Sequence, residues 1–190
     1  YGSPMGDSNL HNHRRCPLLV MGKANGQLAG NQHIIAPDET PYLYADDGVQ
    51  VAAATPQSAT QNVSVALATA QAAGNLNVVI IGWNDASSTI QSVTDSAGNS
   101  YRLATGPLRG TGISQAIYYA AGIRAGTNTV TVSFASAVAY PDLRVLEYAG
   151  LDAAAPLDNA VGAAGSTATS SSGALSTATA NELLVAGNYV

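Results

Sequence analysis

The sequence predicts an all-β protein, an antiparallel β-sandwich, on three observations. From residue 49 onward, short apolar alternations are separated by turn signals at roughly 8–12-residue spacing. Only 10% of the 190 residues are charged, against roughly 25% in an average soluble domain, too few for a coiled coil or a charge-laced helical bundle. Helix is disfavoured even where alanine is dense, at Ala52–Ala54 and Val65–Ala73. Apolar residues there do not recur at three-four spacing, and Thr, Ser and Asn interrupt them.

The strands follow in order. Val63, Val65 and Leu67 share one face, with Ser64, Ala66 and Ala68 on the other. The turn Ala73-Gly74-Asn75 leads into Leu76–Trp83, which is apolar on both faces and therefore predicts a central strand. Gln91–Thr94, the loop Asp95-Ser96-Ala97-Gly98-Asn99 and Ser100–Leu103 predict a hairpin, with Gly98 supplying a positive φ. Ile113–Ala121 is the next strand, with Ile117 and Tyr119 facing one way and Tyr118 the other. After the turn Ala125–Asn128, Val130, Val132 and Phe134 alternate with Thr129, Thr131 and Ser133, the clearest one-sided strand in the chain. Leu143–Tyr148 is a strand ending at Gly150. Thr167–Thr179 reads as a weak edge strand or a loop, and residues 181–190 resume a buried pattern.

Residues 1–47 differ in character. All three histidines, the single lysine, the cysteine and both methionines lie in residues 1–33. This segment predicts an irregular or hairpin fragment, with Asn25-Gly26 turning the chain between Leu18–Met21 and the residues after Gln27. Pro41 to Gly48 reads as a linker, so the expected division is 1–47 and 48–190. The first ten residues have no basic or apolar signal region, and both ends read as cut.

Bulk chemistry excludes several function classes. The net charge is −5, with one lysine and six arginines, so no basic stripe exists to neutralise phosphates and nucleic-acid binding is not expected. No apolar run reaches the length of a transmembrane helix. One cysteine, Cys16, rules out an internal disulfide framework, and it reads as a small buried hydrophobe. No cofactor motif is present: Lys23 after Gly22 lacks the rest of a phosphate loop.

The run GNLNVVIIGWND, VTDSAGNSYRLATGP, GISQAIYYAAGI, GTNTVTVSF and AYPDLRVLEYAGLDAAAPLD resembles a recurrent module of secreted bacterial proteins. It is similar to the Ig-like or jelly-roll sandwiches appended to extracellular enzymes and surface proteins. The resemblance covers residues 49–190 and implies a secreted or cell-surface location. It also implies further strands after the ANELLVAG segment, so the sandwich is expected to be truncated at its C-terminus with an open edge. Residues 1–41 resemble the C-terminal part of an uncharacterised bacterial family known for an HxxSHH motif, itself alkaline-phosphatase-like. The motif is absent from this chain.

Four groups of residues carry candidate chemistry. Asp7, His11 and His13 form part of a possible metal-ligand set, because imidazoles at i and i+2 on a strand share a face; the alternative is a solvated loop. Gly6-Asp7-Ser8-Asn9 and Gly82-Trp83-Asn84-Asp85 resemble two blocks of GDS-type esterases, but no histidine follows His33 to act as the late base. Asp95 and Asn99 offer oxygens to calcium, or else simply hold a turn. Trp83, Tyr118 and Tyr119, with Tyr140 and Tyr148, would stack on sugars if they lined one face; otherwise they pack the core. Asp142 and Glu147 have opposite strand parity and make no glycosidase pair.

The sequence thus points to a non-catalytic extracellular accessory or adhesion module that binds a polysaccharide or another surface component. A hydrolase, either a relic of an alkaline-phosphatase-like metalloenzyme or a GDS-type esterase, is the second reading. A surface or filament subunit that self-associates through an open strand edge is the third.

Overall fold

The computed structural model describes residues 18–21, 48–166, 171–178 and 182–189, and for 18–21 only the backbone. Ten strands and no helix occur among the described residues. In chain order they are β1 (Leu18–Met21), β2 (Gly48–Ala54), β3 (Thr60–Ala66), β4 (Leu76–Asn84), β5 (Ile90–Asp95), β6 (Arg102–Arg109), β7 (Ser114–Ala120), β8 (Thr129–Tyr148), β9 (Leu157–Ala160) and β10 (Leu183–Ala186). Every pairing is antiparallel.

The architecture turns on β8. Its 20 residues merge the two strands expected at Val130–Phe134 and Leu143–Tyr148. The first half pairs with β3 and β5, the second with β2 and β4. Between them, Ala139 opposes Asn84 and Asp142 opposes Gly82, so the ladder slips at Tyr140-Pro141. Tyr140 is the one non-glycine at positive φ (46°) among the described residues, and Pro141 has no N–H to give a ladder. This corner lets one strand serve two sheets, the order of the larger being β2-β8-β4-β7-β6.

The sheet therefore folds over on itself. Val63, Val65 and Leu67, with Val130, Val132 and Phe134, pack against Val79, Ile81, Trp83, Leu143 and Val145. That is the sandwich the alternation predicts, with period 2 placing each of these side chains inward. β4 lies between β8 and β7, as its two-sided apolar pattern requires, and eight of its nine residues are buried.

Burial of the second face of β4 needs a second layer. Leu76, Val78 and Ile80, with Ile117, Tyr119, Leu146 and Tyr148, form a separate core with Leu183 and Val185 of β10. β10 belongs to a three-stranded sheet of order β10-β1-β9. Close approach is enforced at Gly82, where a Cβ would run into the Tyr189 ring that lies over it.

One local expectation needs correction. The DSAGN loop does turn, with Gly98 at φ +73°, but it does not close a hairpin. Among the described residues, β5 pairs only with β8, and β6 pairs only with β7. The loop carries the chain from one layer to the next, because the inward side chains of β5 and of β6 belong to opposite walls of the sandwich. The expected hairpin after Leu18–Met21 falls outside the described residues. What is described is β1 pairing with β9 and β10, far along the chain. Of the Thr167–Thr179 segment, residues 171–178 are described, and they are irregular, in keeping with the loop reading.

Candidate functional site

The aromatic residues proposed for sugar stacking are dispersed. Trp83 is 0% exposed and packs against Phe134 with ring centroids 5.3 Å apart and planes tilted by 59°. Tyr119 is buried in the outer core, while Tyr118, half-buried, faces the opposite core. Neighbours on a strand point to opposite faces, so these three side chains do not share a platform, and stacking on a ligand needs an open ring face that Trp83 and Tyr119 lack. Tyr148 is also buried, whereas Tyr140 is exposed at the β8 corner.

The polar residues of one end form a closed ring of hydrogen bonds. Tyr101 Oη donates to Asp95 Oδ2 at 2.9 Å. Asn77 Nδ2 donates to Tyr101 Oη at 3.1 Å, and Gln71 Nε2 to Asn77 Oδ1 at 2.6 Å. Asn128 Nδ2 reaches both Gln71 Oε1 and Asp95 Oδ2 at 2.8 Å, which closes the ring. Asn99 adds its backbone N–H and Nδ2 to Asp95. Burial opposes ionisation of Asp95, but the hydrogen bonds from Asn128, Asn99 and Tyr101 outweigh it and hold the carboxyl below its ordinary value. Burial, reinforced by the Asp95 charge, pushes the Tyr101 phenol up.

This arrangement is that of the turn reading of the DSAGN loop: three donors reach Asp95 Oδ2 and the Asn99 N–H reaches Oδ1. The loop is a satisfied turn tied to both walls of the sandwich. Glu147 has a similar part to play nearby. Wholly buried, it accepts from Gln50 Nε2 and Asn75 Nδ2, both at 2.6 Å, and from the Ala72 N–H at 3.2 Å. Asp142 is paired with Arg144 at 2.9 Å.

The Gly82–Asp85 segment ends β4 in a capped turn. Asn84 Oδ1 accepts from Tyr189 Oη at 2.6 Å. Asp85 accepts from the N–H groups of Ser87 and Ser88, which hold its carboxyl below the usual value. Arg109 reaches the carbonyls of Ala86 and Ser88. Asp7, Ser8, His11 and His13 lie outside the described residues, as does Cys16. Among the described residues, no group of three or more His, Cys, Asp or Glu side chains is gathered to hold a metal ion, and no helix is long and apolar enough to cross a membrane.

The outer face of the first half of β8 presents a different polar array. In register, Ser64 and Thr94 flank Thr131, and Asn62 and Ser92 flank Ser133. The hydroxyls of Ser64 and Thr131 share a hydrogen bond of 2.8 Å, and Ser133 Oγ donates to Asn62 Oδ1 at 2.6 Å. None of the six side chains is charged or aromatic, and all are exposed or half-exposed. The Thr129/Thr131/Ser133 alternation signals the middle row of this face; the flanking rows depend on a register that local patterns do not specify. Comparison of the chain with family models, curated proteins and solved structures finds no match.

Proposed function

We propose that this chain is a non-catalytic extracellular accessory or adhesion module of the Ig-like or jelly-roll kind, and that it meets a polysaccharide through the outer face of β3, β8 and β5. The hydroxyl and amide rows Asn62–Ser133–Ser92 and Ser64–Thr131–Thr94 support this reading. Each hydroxyl has one donor and two acceptor positions, so a single cross-strand bond leaves capacity for a partner's hydroxyls. A neutral, flat face of short side chains loses little conformational entropy on contact. Individually weak contacts of this kind suit repeated polymers, where many modules act together.

The non-catalytic part rests on the carboxylates. Asp95 and Glu147 are taken up by donors from their own fold, and Asp142 is paired with Arg144.

The test is co-sedimentation with insoluble cellulose, chitin and peptidoglycan. Retention of the wild-type chain on at least one polymer is expected, with a loss of tenfold or more in Ser64→Arg. Retention should be unchanged in Leu103→Arg, at an exposed site on the far edge strand β6. No retention above an albumin control, or equal retention of Ser64→Arg, would overturn the reading, as would turnover of ester or phosphate model substrates by the purified chain.

A further inference from the structure

The three-stranded outer sheet is assembled from segments far apart in the chain. β9 and β10 pair with β1 and with no other strand among the described residues. Leu19 opposes Val185 on one side and Ala160 on the other; Val20 opposes Leu184 and Asn159. Remove β1, and β9 and β10 are two four-residue strands, one strand-width apart, each with a row of unpaired backbone groups. Those groups need partners. Leu183 and Val185 of β10, and Leu157 and Ala160 of β9, pack on the apolar core of the central sheet, so both walls of the slot are seated on that core.

We propose that the slot between β9 and β10 is a strand-acceptor site for a short extended apolar segment. Leu18–Met21 of the same chain fills it in the closed monomer, and Leu18–Met21 of a second copy fills it in a strand-exchanged dimer. The same backbone bonds form in both cases, so exchange changes the source of the strand and not the contacts. Chain length permits it. Residues 22–47 join β1 to β2, and an extended segment of that length reaches on the order of 90 Å. This inference concerns a different face from the hydroxyl rows and does not rest on the polysaccharide reading.

The test uses the full chain with Cys16→Ser and a cysteine pair at the in-register positions, Val20→Cys with Leu184→Cys. Leu184 is exposed, so its cysteine is open to a mild oxidant such as copper phenanthroline. A second variant, Val20→Cys with Ser64→Cys, places the partner on the exposed outer face of β3, across the central sheet, and serves as the control. At low concentration, the in-register pair is expected to give a disulfide within the monomer at least tenfold faster than the control. As concentration rises, a disulfide-linked dimer should grow at the monomer's expense. A rate no greater than the control overturns the acceptor site. Intramolecular disulfide alone at every concentration overturns the exchange with a second copy. Adding a peptide spanning residues 15–24 to a Val20→Pro chain gives an independent reading. Proline removes an N–H from a strand bonded on both sides, and 1:1 peptide binding by this variant but not by wild type is expected. No binding by a variant that retains its β signature argues against the slot.

Discussion

The two halves of β8 are one continuous strand in unlike surroundings. In the first half, Val130, Val132 and Phe134 are buried while Thr129, Thr131 and Ser133 stay partly open. In the second, Leu143, Val145, Leu146, Glu147 and Tyr148 are all buried, and both faces are covered. The first half is the wall of a two-layer sandwich; the second is the middle of three layers. The difference shows in the residues. Alternation of β-branched apolar and hydroxyl side chains suits a sheet with one wet face; where both faces are covered, Leu143, Val145, Leu146 and Tyr148 are apolar and the buried Glu147 is held by hydrogen bonds from Gln50, Asn75 and Ala72.

Core truncation should separate the halves most strongly. Phe134→Ala removes the ring packed on Trp83 and is expected to cost about 3–5 kcal/mol, read as a fall in the midpoint of chemical denaturation. Leu146→Ala tests the second half on the face that only the outer layer covers. If β9, β1 and β10 close that face, the loss is about 2–5 kcal/mol. A loss below roughly 0.5 kcal/mol, the range of an ordinary surface change, would mean that the outer sheet does not seal it and that the halves are more alike than their burial says.

The ring Asp95–Tyr101–Asn77–Gln71–Asn128 sharpens the comparison at the end remote from the Tyr140-Pro141 corner, beside the first residues of β8 and beside its last. Asp95→Asn replaces a carboxylate that accepts from four donors with an amide that accepts at one oxygen only. The expected loss is about 1–3 kcal/mol near neutral pH. Because the folded carboxyl titrates below its unfolded value, its contribution is fully present above the ordinary carboxylate range and is lost as pH falls through the lower folded value. Wild-type stability should therefore drop more steeply than that of Asp95→Asn as the pH is taken from 5 toward 2. Parallel denaturation profiles across that range would remove Asp95 from the acid response.

Much of this fold was legible in the sequence, for reasons that also mark where legibility stopped. Val63, Val65, Leu67 and Leu76–Trp83 declare their burial through period alone, because a side chain's face is fixed by strand parity. The DSAGN turn was legible too, since Gly98 and Asp95 act over a few residues. Its strand partners were not. Local turn chemistry does not say whether the next strand stays in the layer or crosses to the other wall. The strands expected separately at Val130–Phe134 and Leu143–Tyr148 are one, with Tyr140-Pro141 a corner within β8, because positive φ and a missing N–H bend a ladder without ending it. Trp83 and Tyr119 were named for sugar stacking on chemical type, and type is silent on which layer covers a face. For the hydroxyl face, the middle row was visible and its neighbours were not, since Asn62, Ser64, Ser92 and Thr94 join it only through long-range register.

The smallest expected stability effect is the most informative about that face. Thr131→Val keeps the shape and β-propensity of the side chain and removes only the hydroxyl. Ser64 would then lose a partner at a site where water can replace it, so stability should change by less than about 1 kcal/mol. Polysaccharide retention should nevertheless fall several-fold, because the hydroxyl lies in the centre of the row Ser64–Thr131–Thr94. A variant with unchanged denaturation midpoint and reduced retention would assign the hydroxyl to recognition. An unchanged midpoint with unchanged retention would reduce the outer face of the first half to ordinary solvated sheet, leaving burial of the opposite face as the whole physical reason for the alternation.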